Sequence, residues 1–464
     1  MSSVRITNII IENFKNTKHG EVSLVNRRKD YSSSVLGLYG QNGSGKTALI
    51  DSIALLKLVL CGNAIPKKYA DFINVDSDYS KFEFQFQMIS EKGKYEIWYA
   101  FSLGAQTDDT LVNMEGNNPE VQIKPEIYEE VLSYSLVTND GSMIRKNILI
   151  DTGTDEVFLP KNKYKELIGD VTEEEMRFSK KYTRTTSRTF IFSREMINTF
   201  RKKCKNPQYM DVIEGLMMFG NKDLFIINTE NSGLISLNAL PISFRYKEEK
   251  AESYGNLMLP LNVPAPFPTD AHRLVLKLIA NMNIVLGHII PGLTISVKVL
   301  GDVVSQEGQP GKMIQLMSLK NGKEIPFQYE SEGIKKIVSI LQLLIDVYNN
   351  PSITVAVDEL DSGIFEYLLG ELLQIISEKG KGQLVFTSHN LRPLETIDKG
   401  FIAFTTTNPN NRYIRMTNVK GNNNLRDFYY RDIVLGEQRE KTYESTNRFE
   451  IALAFKEAGD ALGA

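Results

Sequence analysis

Two short stretches, about 300 residues apart, hold residue types from which chemistry could be built. The first is Gly40-Gln-Asn-Gly-Ser-Gly-Lys-Thr47, which meets every fixed position of G-x-x-x-x-G-K-[ST]. Its small residues (Gly40, Asn42, Gly43, Ser44 and Gly45) let backbone N–H groups turn inward around phosphate oxygens. The helix that starts there adds its positive dipole end. Lys46 would reach the β- and γ-phosphates, and the Thr47 hydroxyl would ligate Mg²⁺. The second stretch, "VAVDELDSG", closes a hydrophobic run with Asp358 and Glu359. Asp358 would hold the metal through water, while Glu359 would orient and polarise an attacking water. In "VFTSHN", His389 ends a further apolar strand, on the ligand side of a parallel sheet, where it could donate to the γ-phosphate. Taken together, Lys46, Glu359 and His389 are the expected catalytic groups of a nucleoside triphosphate hydrolase.

The elements that must position these groups follow from local pattern. "VRITNIIIENF", "EVSLV" and "SSSVLGLYG" read as strands rich in β-branched residues, the last running straight into Gly40. "KFEFQFQMI" alternates, with Phe82, Phe84 and Phe86 on one face, and "KYEIWYAFSL" follows across a turn, which predicts an antiparallel hairpin. From about Pro125 to Asn228, charged and helix-like stretches suggest an inserted helical lobe. Ile334, Ile337, Val338, Leu341, Leu344 and Ile345 mark one helix face directly after "ESEG". The loops "GDVVSQEGQPGK" and "TTNPNNR" read as exposed turns.

Composition narrows the class. The 464 residues are 42% hydrophobic and 24% charged with net charge −3, so attraction to nucleic acid or membrane would need a local patch. Two cysteines (Cys61 and Cys204) and four histidines exclude a disulfide framework and argue against a Cys/His metal site. There is no apolar signal core at the N-terminus, and no apolar run reaches the roughly 18–20 residues of a membrane helix. The expectation is a cytoplasmic protein with no membrane partner.

These motifs resemble those of ABC-type ATPases of the SMC, RecF and OLD kind. Asn13-Phe14 is similar to that group's N-terminal strand motif, Asp361 falls at its D-loop, and His389 at its switch position. Transporter-type members carry a Leu-Ser-Gly-Gly-Gln signature that this chain lacks. Ser331 and Gly333 of "ESEGIKK" take that place, in the Ser-x-Gly form of OLD-like ATPases. The resemblance implies an α/β fold: an ABC-type P-loop ATPase head, with a mixed sheet and an antiparallel β-subdomain, plus an inserted helical lobe. Residues 1–124 and 264–430 would be the two halves of the head, 125–263 a mostly helical insert, and 431–464 a helical tail. It also implies ATP and Mg²⁺ sandwiched between the phosphate loop of one copy and Ser331/Gly333 of another, hence a homo-oligomer. Neither Gln85 nor Gln87 can be assigned as the glutamine that contacts Mg²⁺ in many relatives.

"TSRTFIFSREM" and the tail "NLRDFYYRDIVLGEQRE" are similar to stand-alone OLD-like ATPases of bacterial abortive-infection systems. A Toprim nuclease domain would not fit in the tail. The resemblance therefore implies an ATPase subunit that controls a separate effector such as a nuclease, as in PARIS-type anti-phage systems, with Septu and AbiL ATPases as competitors. The alternative is a RecF- or SMC-like DNA-repair ATPase. Between Arg177 and Lys205, ten basic residues, including Arg184, Arg188, Arg201, Lys202 and Lys203, interleave with aromatics. The segment could bind DNA, dock an acidic phage-encoded trigger, or be a solvated face. "NRFEIALAFKEAGDALGA" could be a helix for a partner, for another copy, or for packing on its own chain.

Overall fold

The computed structural model describes residues 3–26, 31–107, 123–247, 252–304, 308–417 and 424–461. At the N-terminus β1 (Ser3–Phe14), β2 (Thr17–Ser23) and β3 (Ser34–Tyr39) lead into α1 (Lys46–Leu60). Four long strands follow: β4 (Tyr79–Ser90), β5 (Gly93–Thr107), β6 (Ile123–Thr138) and β7 (Met143–Asp151). The helices α2 (Lys161–Ile168), α3 (Glu173–Thr185), α4 (Arg194–Lys203) and α5 (Pro207–Met218) come next. The middle of the chain holds β8 (Leu224–Ile227), α6 (Thr229–Ser236), β9 (Ala239–Lys247), β10 (Glu252–Pro260) and β11 (Ala265–Pro268). It continues through α7 (Thr269–Ile289), β12 (Leu293–Val304), β13 (Pro310–Lys320) and β14 (Lys323–Pro326). The last part runs α8 (Glu332–Asn349), β15 (Thr354–Val357), α9 (Glu366–Lys379), β16 (Gln383–Thr387) and α10 (Pro393–Thr396). It ends with β17 (Ile402–Thr405), β18 (Tyr413–Ile414), α11 (Leu425–Leu435) and α12 (Arg448–Ala461).

Two six-stranded sheets position the site. One is antiparallel, in the order β2-β1-β4-β5-β6-β7; the other runs β18-β17-β3-β16-β15-β8, parallel except for its β18 edge. Their shared filling is α1, whose Leu49, Ile50, Ile53, Leu56 and Leu60 have no accessible surface. A helix apolar on most of its circumference must be covered on more than one side. The alternating face of β4 supplies part of the cover. Phe82, Phe84 and Phe86 are at most 1% exposed, and Phe82 stacks on Phe101 at 5.2 Å. Each such ring contributes about 1.5–3 kcal/mol by burial.

Residues 125–263, expected to be mostly helical, are mixed. The boundary at 124/125 falls inside β6, and β6 and β7 extend the antiparallel sheet before the four helices begin. The charged residues that broke the pattern lie away from the buried row Ile127, Leu132, Tyr134 and Leu136. The most buried charge among the described residues of this stretch is Glu130, 1% exposed, which accepts from Tyr99 Oη (2.7 Å), Thr189 Oγ1 (2.5 Å) and the Phe190 amide (2.6 Å). It thereby pins the "TFIFS" segment against the sheet. Burial pushes the Glu130 carboxyl pKa up, and these donors oppose the shift.

Of the two loops expected to be exposed, the first is exposed but is the end of a hairpin and the second is partly buried. Gly301–Val304 and Pro310–Lys312 are the arms of the β12–β13 hairpin, with Ser305–Glu307 outside the described residues. In "TTNPNNR", Thr406 and Arg412 are buried at 0% and 5% exposure, because the turn folds beneath the phosphate loop. The boundary at 430/431 lies within α11, and a stretch without helix separates α11 from α12.

Candidate nucleotide site

The glycine-rich turn sits between the C-terminal end of β3 and the start of α1. Gly40, Gly43 and Gly45 have φ of 153°, 74° and 96°, a region that favours glycine. A Cβ on Gly40 would lie 1.8 Å from Thr405 Oγ1. The Ser44 hydroxyl closes the loop, donating to the Gln41 carbonyl and pairing with Thr405 Oγ1, both at 2.5 Å. Lys46 folds back over the turn and donates to the carbonyls of Gly40 (2.8 Å) and Gln41 (2.9 Å). Burial pushes the Lys46 pKa down, against Asp358, Asp361 and Glu359, which favour the charged form. Asn42, Gly43 and Thr47 line the exposed rim.

The opposing wall is built by register. In β3–β16 pairing Leu38 faces Thr387, and in β15–β16 pairing Val357 faces Phe386. Strands about 4.8 Å apart then place the Asp358 end of β15 some ~10 Å from the Gly40 turn, with β16 between them. Thr387 fills that middle position. Its Oγ1 donates to Asp358 Oδ1 at 2.5 Å and accepts from the Glu359 amide at 2.8 Å. Glu359 is exposed, with φ 48°, so its backbone is held in a conformation that costs energy for a non-glycine residue. Asp358 is 1% exposed, and its Oδ2 has no hydrogen-bond partner.

A buried carboxylate oxygen without a donor fits a divalent cation, and so does the exposed Thr47 hydroxyl on the first turn of α1. These two side chains are the ones that would hold Mg²⁺. His389 is exposed just past β16; its amide and that of Asn390 donate to Asp361 Oδ2 at 3.1 and 3.0 Å. Asp361 thus ties the loop after β15 to the loop after β16.

Ser331 caps α8, its hydroxyl accepting from the Ile334 amide at 3.3 Å. Gly333 packs backbone to backbone on Gly363: a Cβ there would meet the Gly363 carbonyl at 2.0 Å. The α8 N-terminus is therefore joined to the Asp361 loop. Lys336, 3% exposed, lies one turn in, where Glu359, Asp358 and Asp361 offset the fall in its pKa caused by burial. Tyr329, Phe365 and Tyr367 flank this face, 70%, 69% and 51% exposed.

Part of the basic segment is held by neighbouring carbonyls, a ring and carboxylates, while Arg177, Arg201 and Lys203 stay half-exposed. Arg188 donates to the Gly62 carbonyl (2.6 Å), Lys180 to three carbonyls, and Arg184 lies over the Tyr128 ring (5.7 Å). Arg201 pairs with Glu214 (2.9 Å), Lys203 with Asp170 (2.6 Å), and Arg177 with Glu156 (3.6 Å). Lys202 is exposed on α4. Gln85 and Gln87 line a cavity of about 820 Å³ on the outer face of the antiparallel sheet, together with Asn8 and Trp98.

Several positioning residues had no signal in local sequence. Thr387, Thr405 and Arg412 are distant in the chain from what they hold. Arg412 donates to the carbonyls of Thr406 (2.6 Å) and Asn16, Asn16 donates to the Gly43 carbonyl, and Tyr413 Oη donates to the Gly45 carbonyl (2.9 Å). The apolar run and turn before Thr387 were the one available clue to its place at a strand end.

Fold and site define an α/β P-loop head with one mixed sheet beside an antiparallel one. No protein-family model and no curated protein matches the chain. Among solved structures it is similar to the SMC head bound to the C-winged helix domain of ScpA, at 12% identity. That match covers 89% of this chain and 98% of the other, with a TM-score of 0.41. The SMC head domain from Thermotoga maritima is 14% identical over 89% and 99% of the two chains, with a TM-score of 0.38. The recombination mediator protein RecF, solved as RecF-ATPrS, is 12% identical over 88% and 98%, with a TM-score of 0.34. Among the described residues no helix is long and apolar enough to cross a membrane.

Proposed function

We propose that the chain binds and hydrolyses ATP between protomers and passes the change in assembly to a separate effector, such as a nuclease, in an anti-phage defence complex. The observation that carries the hydrolytic part is the Asp358–Thr387–Glu359 arrangement beside the phosphate loop. Inward N–H groups of the loop and Lys46 bind the triphosphate. Mg²⁺, held through Thr47 and Asp358, would supply charge neutralisation on the phosphate oxygens. Glu359 orients water and takes its proton, and His389 donates to the γ-phosphate. The exposed cap at Ser331, ringed by Tyr329, Phe365 and Tyr367, is offered to the nucleotide of a second copy, its helix dipole facing negative charge.

The effector role is supported by the likeness of "TSRTFIFSREM" and of the tail to stand-alone OLD-like ATPases. The alternative is a DNA-repair ATPase that binds DNA directly, to which the half-exposed Arg177, Arg201 and Lys203 and the exposed Lys202 would offer positive charge. The test pairs two substitutions with native mass of tagged protein from its own host. Lys46→Ala should abolish nucleotide binding or turnover, and Glu359→Gln should bind ATP, stall and accumulate the assembled form. A second protein should co-purify in fixed ratio. Turnover at the wild-type rate in Glu359→Gln removes the water-orienting role, and turnover stimulated strongly by DNA with no second subunit overturns the effector role.

A further inference from the structure

The phosphate loop is tied to the far end of the chain through Gln41, whose partner Glu444 lies 403 residues away. The Glu444 amide donates to Gln41 Oε1 (2.9 Å), and Gln41 Nε2 donates to the Glu444 carbonyl (3.3 Å). Both bonds run to backbone atoms, so the contact depends on the path of the chain at 444 and not on its side chain. On the loop side, the Gln41 carbonyl is where the turn closes. It accepts from Lys46 Nζ (2.9 Å), Ser44 Oγ (2.5 Å) and the Ser44 amide (3.2 Å). One residue therefore joins the C-terminal segment to the lysine and the serine of the loop.

The segment that reaches Gln41 is fixed along its length. α11 ends at Gly436, in the left-handed region at φ 65°. Asp432, 3% exposed, then folds the chain back: its Oδ1 accepts from the Gln438 amide (2.8 Å) and its Oδ2 from Thr442 Oγ1 (2.6 Å). The Thr407 amide donates to the Lys441 carbonyl (2.8 Å), and the Asn408 and Asn411 side-chain amides donate to the two oxygens of Glu440 (3.0 and 3.1 Å). Thr407, Asn408 and Asn411 belong to the turn that folds beneath the phosphate loop. Residues 436–444, that turn and the loop thus form one hydrogen-bonded stack. Four residues beyond Glu444, α12 begins, and it is exposed from Arg448 to Ala458.

We infer that residues 436–444 are a strap that positions the phosphate loop through Gln41 and so couples docking of the C-terminal segment to ATP affinity; this rests on the ATP reading above. A glycine-rich turn loses conformational freedom when it closes around phosphate, and contacts that fix it beforehand lower that cost. The strap supplies such contacts from outside the loop, on the peptide whose carbonyl receives Lys46. Gln41 is thereby a positioning residue that acts on the nucleotide through Lys46 and Ser44. The coupling runs both ways. ATP in the loop holds the strap more firmly, and whatever draws the strap away by its exposed end loosens ATP.

The experiment uses the full chain and combines hydrogen exchange at residues 440–447 with equilibrium binding of a fluorescent ATP analogue. Gln41→Ala should speed exchange of the Glu444 amide and weaken analogue binding by about 5- to 30-fold, as two neutral hydrogen bonds at a partly exposed site allow. Glu444→Pro removes the donor amide and leaves the loop sequence intact. It should match Gln41→Ala in affinity and raise KM, with kcat within about twofold of wild type. Glu444→Ala keeps the backbone and should behave as wild type. ATP should slow exchange of the strap in the wild type and not in Gln41→Ala. Wild-type affinity in both Gln41→Ala and Glu444→Pro overturns the coupling. So does a loss confined to Gln41→Ala, since Gln41 would then act within the loop alone, and so does a wild-type Glu444 amide that exchanges at the free-chain rate. A wild-type chain that binds no ATP overturns the ATP reading itself, and the coupling with it.

Discussion

Replacing Thr387 with valine removes one oxygen and keeps the shape. That oxygen donates to Asp358 at 2.5 Å and accepts from the Glu359 amide at 2.8 Å, in a side chain only 1% exposed. A hydrogen bond to a charged group contributes about 1.5–3 kcal/mol, and an amide left without its acceptor costs about 1 kcal/mol. Water has little room to replace either. Because Asp358 Oδ2 already lacks a donor, the variant leaves the whole carboxylate unpartnered. We expect denaturant unfolding to report a loss of about 2–4 kcal/mol. Loosening of both Asp358 and Glu359 should slow ATP hydrolysis by roughly 10–100-fold, equivalent to about 1.4–2.8 kcal/mol in the barrier. Binding of ATP without Mg²⁺, followed by fluorescence of a labelled analogue, should change little, since the phosphate loop is untouched. Thr387→Ser restores the oxygen and should recover most of the rate. Wild-type turnover and stability in Thr387→Val would refute the claim that this hydroxyl holds the pair in place.

Other substitutions test neighbouring parts. Gly333→Ala drives a methyl into the Gly363 carbonyl, should destabilise by about 1–3 kcal/mol and should lower turnover more than ATP affinity, as seen in a kcat and KM comparison. Asp346, near the C-terminal end of α8, has its pKa pushed from 3.8 to about 7, first by burial, with Gln342 only partly offsetting it. The folded chain therefore keeps a proton that the unfolded chain has lost between those values, and stability falls as pH rises through that window. Asp346→Asn should stabilise the protein by up to about 4 kcal/mol above pH 7 and leave it unchanged near pH 3, measured by thermal melts across pH. Glu130→Ala strands the Tyr99, Thr189 and Phe190 donors and should cost about 3–5 kcal/mol, read as early loss of protection in the "TFIFS" segment by hydrogen exchange.

The strand before Gly40, the amphipathic α8 and the Phe82/Phe84/Phe86 hairpin were legible because period and turn chemistry are local properties. So were the contiguous strings holding Lys46, Thr47, Asp358 and Glu359, whose spacing is fixed by one turn of backbone. β6 was misjudged because a strand with one wet face carries charge in the same proportion as a surface helix. The buried turn at Arg412 looked exposed because its composition is that of a loop, and only packing beneath Gly45 removes it from water. Thr387 gained its role from a neighbouring strand 29 residues away, and Thr405 and Gln41 theirs from segments hundreds of residues away, relations that no local pattern encodes. The sequence by itself determined where the glycine-rich turn and the Asp358-Glu359 strand end fall, the residues we propose to touch a phosphate and a cation. The tertiary structure alone decided which hydroxyls hold them there and that α12 is left uncovered, because burial and hydrogen-bond satisfaction belong to the packed chain and not to any segment of it.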